Sequence, residues 1–221
     1  MKTWQGMAAA GLLLATGGAQ AALVDAGNGL VNDTVLDITW VADAGLSNDQ
    51  LGGAATWQEL VNWAADLEYA GYDDWRLASM SVAAGTPTGS AGFGSIIDCE
   101  TDTETNCRDN ELGYMYRYYL PGNYGDDKTG EQTVGDVTLT GIQNLYWSGT
   151  DVAGSPFRAW LFNPGVGFQS YGFKSSEHYG WAVRPGQIPT APLPGTAALM
   201  ALGLAGLGAR QLSRRPTHSK V

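Results

Sequence analysis

Hydrophobic and polar positions change their rhythm along this chain, and each rhythm predicts a different element. Leu36, Ile38 and Trp40 alternate with Asp37 and Thr39, the two-residue period of a half-buried strand. Asn32-Asp33 precedes that run and reads as a hairpin turn. From residue 57 to 70 the period lengthens. Leu60, Trp63, Ala64 and Leu67 recur at helical spacing and are expected to face the core. Thr56 and Glu59 supply a capping box at the start, and Gly71 is placed to end the helix in the left-handed conformation. Trp75-Arg76-Leu77 reads as a short extended segment, with Arg76 in an ion pair to the aspartates beside it. A second helix is predicted over residues 110–120, with Leu112, Met115, Tyr116 and Tyr119 on one face and Pro121 as its stop. Residues 79–95 and 122–135 are rich in Gly, Ser, Thr and Asp and read as loops. Beyond them come short aromatic-rich runs at residues 144–149, 157–163, 167–172 and 179–184. Spaced about a dozen residues apart, they predict antiparallel strands. Helices first and strands later predict an α+β domain, two helices packed on a mainly antiparallel sheet.

The two ends follow neither rhythm. Residues 1–21 combine Lys2, an apolar run over residues 7–15 and the small-x-small site Ala19-Gln20-Ala21, the three parts of a secretory signal. At the other end, Pro192-Leu193-Pro194-Gly195 precedes fourteen mostly apolar residues, 196–209, and then Arg210, Arg214 and Arg215. That run is shorter than the roughly 20 residues of a comfortable spanning helix. Arginines that follow it would stay cytoplasmic, leaving the domain outside. The expected organisation is a signal helix at 1–21, an exported domain at 22–186, a linker with a sorting motif at 187–195, and a hydrophobic helix with a basic tail at 196–221.

Charge narrows the list of partners. All 22 acidic residues lie between Asp25 and Glu177, and the domain at 22–186 holds only seven basic ones, which leaves it at −15. Such a domain repels nucleic acid and anionic lipid, so no nucleic-acid partner is expected. Cys99 and Cys107 are the only cysteines. In an oxidising compartment they would form a local disulfide worth roughly 2–3 kcal/mol, and in a reducing one they are two thiols. Asp98, Glu100, Asp102 and Glu104 alternate with neutral residues. Those oxygens suit either a hard cation, calcium being the candidate, or a solvated acidic loop; the glycine and terminal glutamate of an EF-hand are missing.

Candidate chemistry is thin. His178 is the only histidine of the domain, and no zinc-protease, nucleophile-elbow or phosphate-loop motif occurs. The expectation is a protein without catalytic function or resident cofactor; a hydrolase built on His178 is the weaker alternative. Trp147, Trp160, Tyr171 and Tyr179 lie in the strand-rich third, with Arg158, Lys174 and His178 as polar neighbours. This set is the candidate ligand site, since exposed rings with polar neighbours suit sugars. Tryptophans at regular strand positions equally suit a core.

Two resemblances add to this reading. Thr56-Trp57-Gln58-Glu59, Asp74-Trp75-Arg76-Leu77, Tyr146-Trp147-Ser148-Gly149-Thr150 and Gly180-Trp181-Ala182-Val183-Arg184 occur in the order and spacing of one family. Ala159-Trp160-Leu161-Phe162 before Gly165-Val166-Gly167 fits as well. The set resembles the C-terminal domain family named for the Legionella collagen-like adhesin Lcl. The resemblance implies a small fold similar to C-type lectin-like domains and a carbohydrate-binding or adhesive role; the named member binds sulfated glycans. Ala78 stands where that family has proline, the collagen-like stalk is missing, and a charge of −15 suits a sulfated ligand poorly. Pro192, Leu193 and Pro194 with Arg214 and Arg215 resemble the Pro-Leu-Pro variant of the PEP-CTERM sorting tail. That implies processing by an exosortase during transit through the inner membrane. The combined expectation is an exported cell-surface or matrix protein with a lectin-like domain bound to glycan or exopolysaccharide. The alternative is a purely structural matrix component.

Overall fold

A computed structural model describes residues 23–81, 90–92, 98–101 and 103–190. The expected signal helix, sorting motif (Pro192, Leu193, Pro194), hydrophobic helix and Arg214 and Arg215 lie outside the described residues. Among the described residues no helix is long and apolar enough to cross a membrane.

The chain begins as an antiparallel meander of β1 (Leu23–Gly27), β2 (Leu30–Asp33) and β3 (Ile38–Val41). The second turn does not fall at Asn32-Asp33. Both residues are buried inside β2, and the turn occupies residues 34–37. Asp33 holds it, its Oδ1 accepting the N–H groups of Val35 and Leu36 at 3.0 and 2.9 Å. Asn32 has a tertiary role: its side chain bonds both backbone groups of Ile188, at 2.7 and 2.8 Å. Nor is β3 half-buried, because all four of its residues are covered.

A short helix, α1 (Leu46–Leu51), and the two-residue β4 (Ala55–Thr56) lead into α2 (Trp57–Ala65). The capping box forms as predicted, with the Thr56 N–H donating to Glu59 Oε2 at 2.9 Å. The helix ends at Ala65, earlier than its periodicity suggests. Gly71 instead joins Ala70 in a left-handed turn that lets Tyr69 and Tyr72 exchange backbone hydrogen bonds of 3.0 Å. Next come β5 (Arg76–Leu77), β6 (Ser90–Gly92) and α3 (Glu104–Cys107). The second predicted helix is α4 (Glu111–Tyr114) continued by a π-helical turn, Met115–Tyr119. Its four predicted core residues are buried. The Lys128 ammonium bonds the Tyr116 and Leu120 carbonyls at 2.8 and 3.1 Å, a cation placed where a helix C-terminus is electronegative.

The strands of the last third are β7 (Gly130–Val134), β8 (Val137–Ile142), β9 (Tyr146–Ala153), β10 (Arg158–Asn163), β11 (Phe168–Phe173), β12 (Glu177–Gly180) and β13 (Ala182–Pro185). Part of the presumed loop at 122–135 is therefore strand: β7 pairs with β8 as a separate two-stranded ribbon. Run 179–184 divides at Trp181 between two sheets. One sheet has the order β1-β2-β3-β13-β5, the other β11-β10-β9-β12-β4 with β6 also on β9. Pairing is antiparallel except for β12–β9 and β6–β9. The protein is thus α+β and mainly antiparallel.

Alternate residues of the same strands feed two cores. Trp40, Trp160, Phe162 and Val183 join one with the α4 segment; Val41, Ala159, Leu161 and Ala182 join the other with α2. The two helices therefore cover opposite faces of the strand layer rather than one. Gly180 lets α2 approach: a Cβ there would meet Leu77 and Leu60 at 2.9 and 3.0 Å. The ion pairs also differ from expectation. Arg76 pairs with Glu111 at 2.5 Å in the interior, and Asp74 pairs with Arg184 at 2.6 Å. Local sequence proximity put Arg76 next to aspartates, but strand geometry turns neighbouring side chains to opposite faces.

Candidate functional site

The seven candidate ligand residues do not form one site, because the elements that carry them turn them to different parts of the fold. The two strands pair without a register shift, Arg158 opposite Phe173 and Trp160 opposite Tyr171. Directly paired residues share a face. Arg158, Trp160, Tyr171 and Phe173 therefore form one group. Trp160 is its buried floor, its ring edge-on to Tyr171 at 5.4 Å. The Arg158 guanidinium lies over the rings of Tyr171 and Phe173, 5.2 and 4.9 Å from their centroids. Among the described residues no carboxylate pairs with it.

The other candidates lie elsewhere. Trp147 is fully buried on the far side of the sheet and donates its Nε1–H to the Ser176 carbonyl at 3.2 Å. Its ring centroid is 4.9 Å from that of His178. Burial lowers the His178 pKa, so the imidazole is neutral at pH 7. The Lys174 ammonium is paired with Asp151 and lies 3.8 Å from the centroid of the Trp57 ring. Tyr179 is half-buried where β12 meets β9. Trp147 and Trp160 are thus core, and Lys174 is committed to an internal pair. Central strands are covered on both sides, so large rings there serve packing.

What sequence reasoning missed is a set of phenylalanines. Phe157, Phe168 and Phe173 are 74, 60 and 55 % exposed, and Val166 at the hairpin tip is 51 % exposed. The signal that could have found them is position: each stands at a strand end or turn. The tip is held rigidly from below. Tyr124 donates its hydroxyl to the Gly167 carbonyl, and the Lys128 N–H donates to the Pro164 carbonyl at 3.0 Å. Burial pushes the Tyr124 hydroxyl up to about 12, so it remains a donor through the physiological range.

The acidic loop separates in the same way. Cys99 and Cys107 form the disulfide. Glu104 is engaged by Arg108 at 2.9 Å and by the Tyr114 hydroxyl at 2.5 Å, which hold its carboxyl below the usual range. Asp98 accepts the Glu100 N–H at 3.0 Å. Asp102 lies outside the described residues. Among those described, no cluster of three or more His, Cys, Asp or Glu could hold a metal ion. As a calcium ligand Glu104 would compete with Arg108 and Tyr114 for its oxygens.

No protein-family model matches this chain, and no characterised protein or solved structure matches it either.

Proposed function

We propose that this chain is an exported cell-surface or matrix protein whose lectin-like domain binds glycan without catalysis, through the Arg158–Tyr171–Phe173 face. One observation carries the reading: a guanidinium stacked over two rings, without a carboxylate partner among the described residues, in a domain of −15. Stacking removes little of the guanidinium's donor capacity and orients it in advance. An apolar sugar face can pack on the exposed ring while its hydroxyls accept from Arg158. Two strands paired without a register shift hold these groups, so little ordering cost is left for binding. The sequence adds the resemblance to the adhesin-type domain and a tail similar to those that an exosortase processes.

A glycan array probed with the exported protein tests the reading. Binding to at least one polysaccharide is expected, reduced about tenfold or more by Arg158→Ala, the loss of a contact worth about 1.4 kcal/mol. Silence across neutral and acidic glycans, or equal binding by Arg158→Ala, would refute it.

A further inference from the structure

The hairpin of β10 and β11 carries four of the seven large apolar side chains that the described residues expose: Phe157, Val166, Phe168 and Phe173. Residues 165–173 hold no charged side chain, although the domain as a whole carries −15. The nearest basic groups along the hairpin, Arg158 and Lys174, are opposite in sign to that net charge. Two copies of so acidic a domain repel each other, and contact through an uncharged stretch costs less than contact elsewhere on such a surface. β11 also ends its sheet; among the described residues β10 is its one strand neighbour. Proteins usually blunt such an edge with lysine, proline or a bulge. Strand β11, Phe-Gln-Ser-Tyr-Gly-Phe, has neither residue, and its register with β10 is unbroken.

The order of residues along this edge is self-complementary. An antiparallel pairing of two β11 strands about Ser170 sets Phe168 opposite Gly172, Phe173 opposite Gly167, Gln169 opposite Tyr171, and Ser170 opposite itself. Both copies read the same list, as a two-fold contact requires. Phe168 then lies across from Gly172, and Phe173 beside Gly167 of the preceding turn, so neither exposed ring meets a bulky side chain on the partner strand. Gly172 is bare for an internal reason: the Trp147 ring stands 3.0 Å from where its Cβ would be. The Gln169 and Tyr171 side chains are engaged within the domain, with Asn110 and Trp160 respectively. Recognition therefore falls to the phenylalanines and the strand backbone.

We propose that β11 is a self-association edge, on which a second copy of this chain adds its own β11 antiparallel with Ser170 at the two-fold axis. The two six-stranded sheets then become continuous, and the two Arg158 faces lie side by side, so a polymeric ligand could engage both. The edge contact is small, so the pair forms at the high local concentration of a surface or matrix rather than in dilute solution. The inference stands independently of the glycan reading.

Ser170 provides the test. The Lys174 N–H donates to the Phe157 carbonyl at 2.9 Å, which turns the N–H groups of Gly172 and Ser170 toward β10 by the two-residue period. Across the proposed axis the two serines are then a non-hydrogen-bonded pair, with Cα atoms about 4.5 Å apart, close enough for a disulfide. The native cysteines are already bonded to each other and do not compete. The full exported chain carrying Ser170→Cys is concentrated under a mild oxidant and run on a non-reducing gel. Most of it is expected as a covalent dimer. Adding Phe168→Lys, at an exposed position that leaves the fold unchanged, is expected to remove the dimer. Gln169→Cys, whose thiols would not face each other, should cross-link far less. A monomeric Ser170→Cys protein, a dimer indifferent to Phe168→Lys, or equal cross-linking by Gln169→Cys would overturn the proposal.

Discussion

Trp147 and Trp160 stand in the middle of β9 and β10 and are 0 and 4 % exposed, whereas Phe157, Phe168 and Phe173 at the ends of β10 and β11 expose more than half of their surfaces. All five are large aromatic residues within one short stretch of sequence. Central strands have neighbours on both edges and a helix or ribbon over each face, while the last strand and its turns have fewer. Aromatic size therefore says little about exposure here, and place in the sheet says most. Charged pairs show the same contrast. Arg76–Glu111 is enclosed, with side chains 14 and 3 % exposed, whereas Asp74 in the pair with Arg184 is 43 % exposed.

The contrast predicts a graded set of effects. Trp147→Ala empties a closed part of the core and is expected to cost ~3–5 kcal/mol in denaturant unfolding. Phe168→Ala, by contrast, should shift stability by no more than ~0.5 kcal/mol. Comparable losses for the two would break the comparison at its centre. Among the ion pairs, Glu111→Ala strands a buried guanidinium and the Ser79 N–H that Glu111 accepts, for an expected loss of ~3–5 kcal/mol. Asp74→Ala, at the partly exposed pair, should cost only ~0.2–1 kcal/mol by the same measurement.

A smaller effect concerns pH. Burial lowers the folded-state pKa of His178 below its ordinary 6.5, so the unfolded chain takes up the proton more readily. The stability gained by keeping the ring neutral is complete above about 6.5 and is lost as pH falls through the folded value. Asp74 and Glu104 are also depressed, chiefly by hydrogen bonds from Arg184 and Arg108, and their contribution is lost at lower pH still. Asp33 opposes them, since burial raises its pKa and acid favours its folded form. The thermal midpoint is therefore expected to fall between pH 7 and 5, and His178→Gln should flatten that part of the profile. A slope unchanged in the variant would show that another group carries it.

Much of the local structure was legible before any fold was known. Thr56 and Glu59 announced the start of α2, because a capping box is made within four residues. The aromatic runs announced most strands of the last third. The ribbon β7–β8 was missed because its first strand, Gly-Glu-Gln-Thr-Val, is largely solvent-facing and shows no apolar alternation. Helix α1 was missed because six residues carry no readable period. Asn32 and Asp33 look like turn residues locally. They sit in a strand because Ile188, Trp40 and Tyr119, all distant or across the sheet, satisfy their side chains. Of the candidate ligand set, Arg158 and Tyr171 share a face in the fold, and the exposed ring beside them is Phe173 rather than a tryptophan.

By itself the sequence determined the N-terminal cap of α2, the strand-rich last third, the acidic charge of the domain and the two cysteines close enough to join. Each of these rests on residues a few positions apart or on plain counting. Which aromatic residues meet solvent was decided only by the tertiary structure. A two-residue period puts Arg158 with Trp160 and Tyr171 with Phe173, and the register of β10 on β11 joins the two pairs on one face. Whether that face is covered depends on β9 filling one side of β10 and β11 ending the sheet, contacts that no local pattern encodes.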